Sequence, residues 1–242
     1  MATISLCMIV KNESAVLARC LDSIADLMDE IIILDTGSTD NTKEIAAQYT
    51  SRIYDFKWAS DFSAARNFSF SKATMEYIYT ADADEILDDA NRERFLRLKD
   101  ALLPEIEIVQ MKYVTQGTFD TVLNAKKEYR PKLFRRLRTF TWIDPIHETV
   151  RLTPVTFDSD VEILHCPQSL HSKRDFSIFI KAFEHDGQFS PKIRTMYAKE
   201  LLKTGDKKDF TDAKPIFQLI FDNDPADDAR KEAACVLARI YR

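Results

Sequence analysis

The sequence predicts an α/β fold, a mixed and mostly parallel sheet with flanking helices, followed by a small all-helical region. Short continuous apolar runs, the mark of strands buried on both faces, alternate with segments whose apolar residues recur at helical spacing. That alternation fills the first ninety residues or so and favours βαβ units. Beyond Cys166-Pro167 only helical stripes remain, which sets the boundary near residue 167, with a first domain over 1–167 and a second over 168–242.

Each element has its own signal. Thr3 to Val10 (TISLCMIV) is an apolar run suited to a buried strand, and Leu17, Cys20, Leu21, Ile24 and Leu27 then recur as on one face of a helix. Glu30 to Asp35 (EIIILD) repeats the strand, Thr36 to Asn41 (TGSTDN) is a turn cluster, and Thr42 opens a short helix carrying Ile45, Ala46 and Tyr49. Arg52 to Phe56 reads as a third strand. Asp61 to Lys72 starts with a capping residue and reads as a helix, and Met75 to Thr80 forms a fourth strand that runs into Ala81-Asp82-Ala83-Asp84-Glu85. A helix near Asn91 to Leu103 follows. Glu105 to Thr115, Tyr129 to Arg136, Thr139 to Ile143 and Val155 to His165 read as strands that extend the sheet, with a loop over Gln116 to Lys127. The tail reads as helices over Asp175 to His185, Pro191 to Thr204, Phe210 to Phe221 and Asp227 to Arg242; Tyr197-Ala198, Ala213, Phe217, Ala234 and Ala238 suggest paired helices of the tetratricopeptide sort.

Composition narrows the function. In 242 residues, 34 Lys and Arg stand against 39 Asp and Glu, a net charge of −5, so there is no global basic field to draw nucleic acid or anionic lipid. The apolar runs are too short to span a bilayer and no basic segment precedes the first of them, so the chain is read as cytoplasmic, with no membrane span. Cys7, Cys20, Cys166 and Cys235 are scattered and indicate neither a disulfide framework nor a zinc site. The four glycines, at positions 37, 117, 187 and 205, exclude the dinucleotide fingerprint and the P-loop. Serine-hydrolase and His-Glu-x-x-His signatures are also missing.

In an open parallel sheet, ligands bind beyond the carboxyl ends of the strands. The unusual polar residues fall there: Glu13 after the first strand, Asp35 ending the second, and Asp82, Asp84 and Glu85 after the fourth. Carboxylates gathered in one crevice repel, and a divalent cation with oxygen ligands, Mg2+ or Mn2+, relieves that repulsion. Arg66, Lys132 and Arg135 are candidates to neutralise phosphate oxygens at the same rim. Taken singly, Asp35, Asp40 and Asn41 read as turn formers, and only for Asp35 does the context favour a ligand.

The ordered segments TISLCMIVKNE, EIIILDTGSTDNT, FSAARN and TADADE resemble the glycosyltransferase family 2 signature on a GT-A fold. YRPKLFRR, WIDPIHETV and the helical tail resemble a bacterial subgroup in which such a domain precedes tetratricopeptide-like helices. The resemblance implies an inverting, metal-dependent hexosyltransferase that takes a nucleotide-sugar donor, a UDP-hexose such as UDP-glucose. By the same resemblance Asp35 contacts uracil, Glu13 and Arg66 lie near the nucleotide, Asp82 near the ribose or metal, and Asp84 and His165 at the metal. Glu148 takes the place of the catalytic carboxylate, with Asp144 second; the local text His147-Glu148 departs from the frequent Glu-Asp pair. The implied acceptor is a peptide or protein, a lipopolysaccharide core or another glycan, and the tail implies protein recognition or a homodimer. A sugar-phosphate nucleotidyltransferase is the alternative enzyme, although the loop after the first strand is Lys11-Asn12-Glu13 and lacks glycine; a catalytically inactive helical-repeat binding module is the alternative outside catalysis.

Overall fold

Ile4–Val10 (β1) forms an interior strand of the sheet because nearly every side chain is apolar and can be buried on either face; Ile4, Leu6, Met8 and Val10 are each at most 2% exposed. The computed structural model describes residues 1–115, 127–136, 142–143, 149–150, 154–166 and 172–240. Around β1 stand α1 (Leu17–Ile24, continued by a 3-10 turn over Ala25–Leu27), β2 (Glu30–Asp35), α2 (Thr42–Ala46), β3 (Ile53–Asp55), α3 (Phe62–Lys72), β4 (Tyr77–Thr80), β5 (Glu85–Ile86) and α4 (Asp89–Ala101). Then come β6 (Ile108–Thr115), β7 (Lys127–Arg135), β8 (Trp142–Ile143), β9 (Thr149–Val150), β10 (Thr156–His165), α5 (Ser172–Asp186), α6 (Pro191–Thr204), α7 (Lys207–Asn223) and α8 (Asp227–Ile240).

Eight strands make one sheet in the order β3-β2-β1-β4-β7-β6-β10-β5, while β8 and β9 form a separate pair. β2, β1 and β4 run parallel, β3 parallel to β2, and β6 parallel to β10; β7 opposes both β4 and β6, and β5 opposes β10. The sheet is thus mixed and mostly parallel, as expected. One consequence matters for chemistry: the ends of β1, β2, β4, β6 and β10 and the start of β7 lie along one edge.

Helix α1 exists for the reason its pattern gives, since Leu17, Cys20, Leu21 and Ile24 are all buried against the sheet. Helix α4 begins where Asp88 accepts a hydrogen bond from the Asn91 N–H, an N-cap, which starts the helix two residues earlier than the apolar stripe suggests. Its Phe95 packs edge-to-face on Tyr79 of β4, with ring centroids 5.4 Å apart. Buried Lys99 closes the far end, donating to the Leu27 carbonyl at 2.9 Å and to Asp29 at 2.7 Å.

The described chain separates into two compact units. The first comprises Met1–Ala59, Ala64–Trp142 and Val150–Gln168; the second comprises Ser60–Ser63, Ile143–Thr149 and Ser169–Arg242. In the second, Tyr197 of α6 stacks on Phe179 of α5 at 4.7 Å and meets Phe217 of α7 at 5.4 Å, while buried Arg194 reaches Glu232 of α8 at 2.9 Å. Tyr197, Ala198, Ala213 and Phe217 are buried as their pattern suggests, but on α8 the buried residues are Ala229, Ala233, Val236 and Leu237, and Ala238 faces water. No helix among the described residues is long and apolar enough to cross a membrane. Strands β5 and β9, two residues each, are too short for an alternating pattern to reveal. The expected loop over Gln116 to Lys127 falls largely outside the described residues, as do the expected boundary at 167–168 and the candidates Asp144 and Glu148; Lys127 itself begins β7.

Candidate active site

The rim has a first half built by the loops after β1 and β2. Val10 and Asp35 are register partners, so the two chains leave the sheet side by side. Buried Asp35 turns its Oδ1 back to accept the N–H groups of Gly37 and Ser38, each at 2.9 Å. That tight turn puts Gly37 at φ +102°, a conformation that strains any residue with a Cβ. The other oxygen, Oδ2, is buried with no hydrogen-bond partner, and Lys43 Nζ stands 4.0 Å from Oδ1.

Hydrogen bonds between the two loops then stitch them together. The Asn12 N–H donates to Ser38 Oγ at 2.9 Å, and Asn12 Oδ1 accepts from the Thr39 N–H at 2.7 Å; Asn12 itself has φ 55°. The Glu13 N–H donates to Thr42 Oγ1 at 2.8 Å and the Ser14 N–H to Asp40 Oδ2 at 3.2 Å. Asp40 also accepts from the Thr42 N–H and hydroxyl. Its carboxyl lies at about 2: desolvation pushes it up, but the donors on Ser14 and Thr42 pull it down further. The carbonyl of Glu13 accepts the N–H groups of Val16 and Leu17, so Glu13 opens α1 while its side chain is half-buried at the rim.

The second half is the segment between β4 and β5. Only four residues separate Thr80 from Glu85, yet β7, β6 and β10 lie between β4 and β5 in the sheet, so the segment runs across the tips of those strands. Ala83 points inward and is buried. The Asp84 carbonyl accepts the Cys166 N–H at 2.9 Å, and the Glu85 N–H donates to the Asp82 carbonyl at 3.1 Å.

The side chains of this half come from four strands. Asp84 Oδ2 lies 2.9 Å from His165 Nε2 at the end of β10, and His165 Nδ1 is buried without a partner. Glu85 and Lys132, both buried, pair at 2.5 Å. The guanidinium of Arg130 lies 3.6 Å from the centre of the Tyr113 ring, Lys132 Nζ lies 5.6 Å from it, and the His165 ring lies 4.9 Å from it. Asp82 opens to solvent at the rim. Its carboxyl is held below the usual range, because desolvation pushes it up but the charges of Lys132, Arg66, Arg130 and His165 outweigh that. Burial pushes the Glu85 carboxyl up to about 7, against the pull of Lys132.

The structure brings together Asp82, Asp84, His165 and Lys132, with the Arg66 charge close enough to act on Asp82; Glu13 and Asp35 occupy the adjoining half of the same edge. Two expectations are corrected. Lys132 is buried against Glu85 rather than free at the rim for phosphate. Arg135 pairs in register with Tyr77, at the opposite end of β4, and donates to the Pro104 carbonyl, because strand β7 runs away from the tips. Among the described side chains of β7, Arg130 is a basic one exposed toward the rim, and it is also held by Glu128. A register shift in β7 between Arg130 and Leu133 breaks the alternation of YRPKLFRR, so face alone does not separate Arg130 from Arg135; the stacking of Arg130 on Tyr113 had no sequence signal either.

Among the described residues no group of three or more His, Cys, Asp or Glu has the geometry of a metal cage. The 2.9 Å between Asp84 and His165 is nonetheless the spacing of adjacent ligands on one octahedral cation, roughly 3 Å for bonds of about 2.1 Å. Two side-chain ligands suit Mg2+ or Mn2+, which commonly complete their shells with water and substrate phosphates. The residues present fit such an ion.

The family model for glycosyl transferase family 2 matches residues 5–153. A TPR repeat-containing protein of Synechococcus elongatus is 51% identical over 87 residues, 36% of this chain and 22% of that protein. The SPbeta prophage-derived glycosyltransferase SunS of Bacillus subtilis is 34% identical over 132 residues, 53% of this chain and 31% of that protein. The chain therefore spans less than a third of either relative. Among solved structures, glucosyl-3-phosphoglycerate synthase from Mycobacterium tuberculosis, in complex with Mn2+, UDP-glucose and phosphoglyceric acid, superposes with a TM-score of 0.55 at 19% identity, over 78% of this chain and 82% of that one, a likeness of fold. With a family match over more than half its length and the strand-tip architecture of a GT-A domain, the chain belongs to glycosyl transferase family 2.

Proposed function

We propose that the chain transfers a hexose, with inversion, from a UDP-sugar to a nucleophile on a peptide, protein or glycan acceptor. The observation that carries this reading is the approach of Asp84 to His165 at 2.9 Å at the strand tips, beside Asp82, whose carboxyl the charges of Lys132, Arg66 and Arg130 hold low. The relatives agree in kind: one is named a lipopolysaccharide core biosynthesis glycosyltransferase, LpsC of Rhizobium meliloti, at 30% identity over 99 residues. The mycobacterial structure holds UDP-glucose with Mn2+.

In this reading each half of the rim takes one half of the donor. Asp35 Oδ2, buried and unpartnered, accepts the uracil N–H, and Asp82 accepts from the ribose. Asp84 and His165 hold a divalent cation, which when bound supplies Lewis-acid stabilisation to the departing diphosphate. Arg66 and Arg130 add positive charge on the same side. Sugar transfer passes through an oxocarbenium-like state, so a carboxylate must take the acceptor's proton on the opposite face; Glu148 is assigned that role, with Asp144 second.

Incubation with UDP-glucose and other UDP-hexoses, with and without Mn2+, tests the reading through released UDP and thermal stabilisation. Metal-dependent stabilisation by UDP-sugars is expected; none with any of them sinks it. Glu148→Gln should keep donor affinity while turnover falls about 10²- to 10⁴-fold, and near-normal turnover would move the base elsewhere.

A further inference from the structure

We propose that the buried Lys132–Glu85 pair is a positioning device that holds the Asp82–Asp84 segment across the strand tips, and so sets the distance between Asp84 and His165. The metal-binding part of this inference rests on the reading above; the positional part does not.

The location of the pair is the first argument. Glu85 is the residue at which the segment rejoins the sheet, register partner of His165, whereas Lys132 stands on β7, one of the strands the segment crosses. The 2.5 Å contact therefore ties the far end of the segment to the strand beneath it. The segment is also tied by the N–H groups of Cys166 and Glu85, by the Asp84–His165 contact, by the pairing of Glu85 with β10 and by the weak contact of Cys20 Sγ with the Asp82 carbonyl at 3.4 Å, but the Lys132–Glu85 contact is the one that fastens it to β7.

The second argument is energetic. Removing two ions from water is costly, and a well-packed apolar pair is often as stable. Here the pair is not arranged for maximum stability, because Glu85 Oε2 remains buried with no hydrogen-bond partner. What the ion pair supplies and an apolar pair does not is a fixed direction. Lys132 Nζ also faces the Tyr113 ring, whose neighbour is the His165 ring, so one ammonium supports both proposed metal ligands from beneath: Asp84 through Glu85, and His165 through Tyr113.

Lys132→Met alone leaves an uncompensated carboxylate and risks misfolding, so the deciding protein is the double variant Glu85→Gln/Lys132→Met, which removes both charges at nearly constant volume. Its thermal midpoint should stay within about 5 °C of the parent. Amide exchange, measured without metal, should quicken about tenfold or more in peptides covering 81–87 and remain unchanged in β1 and β2. The Mn2+ midpoint for UDP-sugar binding should rise about 10- to 100-fold, while donor affinity at saturating Mn2+ changes little. Parental exchange over 81–87 would overturn the proposal, as would exchange that quickens equally throughout the sheet, the mark of a purely structural pair. Failure of the parent protein to bind Mn2+ with any UDP-sugar would instead remove the transferase reading, and the exchange comparison would still decide whether the pair positions the segment.

Discussion

The two halves of the rim do similar work by different means. The half after β1 and β2 is closed by hydrogen bonds between loops that leave adjacent, parallel strands, and its one buried carboxylate, Asp35, is fixed by the N–H groups two and three residues further along the chain. The half after β4 is closed by charges and rings from β6, β7 and β10, 28 to 81 residues away in sequence: Tyr113, Lys132 and His165. A short-range turn fixes a group cheaply but aims it only along its own chain. Long-range ion pairs can hold a segment crosswise over several strands, at the cost of burying charge.

If the crosswise half is the metal half, it should be the more sensitive to loss of one side chain. Asp84→Ala is expected to lower Mn2+-dependent turnover by about two to three orders of magnitude, since a metal-stabilised leaving group is worth several kcal/mol. Calorimetry should show loss of the metal-dependent part of UDP-sugar affinity, with uridine binding retained. Unchanged metal-dependent affinity would separate Asp84 from the cation and erase the functional contrast between the halves.

The same contrast explains what could be read beforehand. The strands β1, β2 and β4, the helices around them and the acidic strand ends were legible, because local apolar period and turn residues determine them. The tail helices were legible for the same reason, although the buried phase of α8 was missed: its small residues Ala229, Ala233, Ala234 and Ala238 fit more than one face. Which basic residue of YRPKLFRR meets the site was not legible. That depends on β7 running antiparallel between β4 and β6, a pairing that sends Arg135 to the far edge and brings Arg130 and Lys132 to the near one. Glu85 looked like one more acid of a cluster, and only its burial against Lys132 distinguishes it.

In the locally closed half, the expected effect is smaller and selective. Asp35→Asn replaces one oxygen by a donor and should weaken uridine nucleotides about 10- to 100-fold, the range for losing a hydrogen bond to a charged group, while inorganic pyrophosphate with Mn2+ binds as before. Titrations with UDP and with pyrophosphate check this. Equal weakening of both would mean that Asp35 shapes the whole rim rather than the nucleoside side, and the division between the halves would fail.

The smallest effect concerns stability. Asp40 ties the two loops through Ser14 and Thr42, and its carboxyl titrates at about 2 in the folded protein against 3.8 for the ordinary group. A depressed carboxyl stabilises the fold above its unfolded value, and that contribution is lost as pH falls from 3.8 through about 2. Because Asp40 is only half-buried, screening limits the contribution to about 1 kcal/mol. Urea unfolding of the parent and of Asp40→Asn should therefore differ by that amount at pH 5 and converge as the pH approaches 2. A difference that persists at low pH would assign the stitch to neutral hydrogen bonds alone, and the locally closed half would then hold without any charge at all.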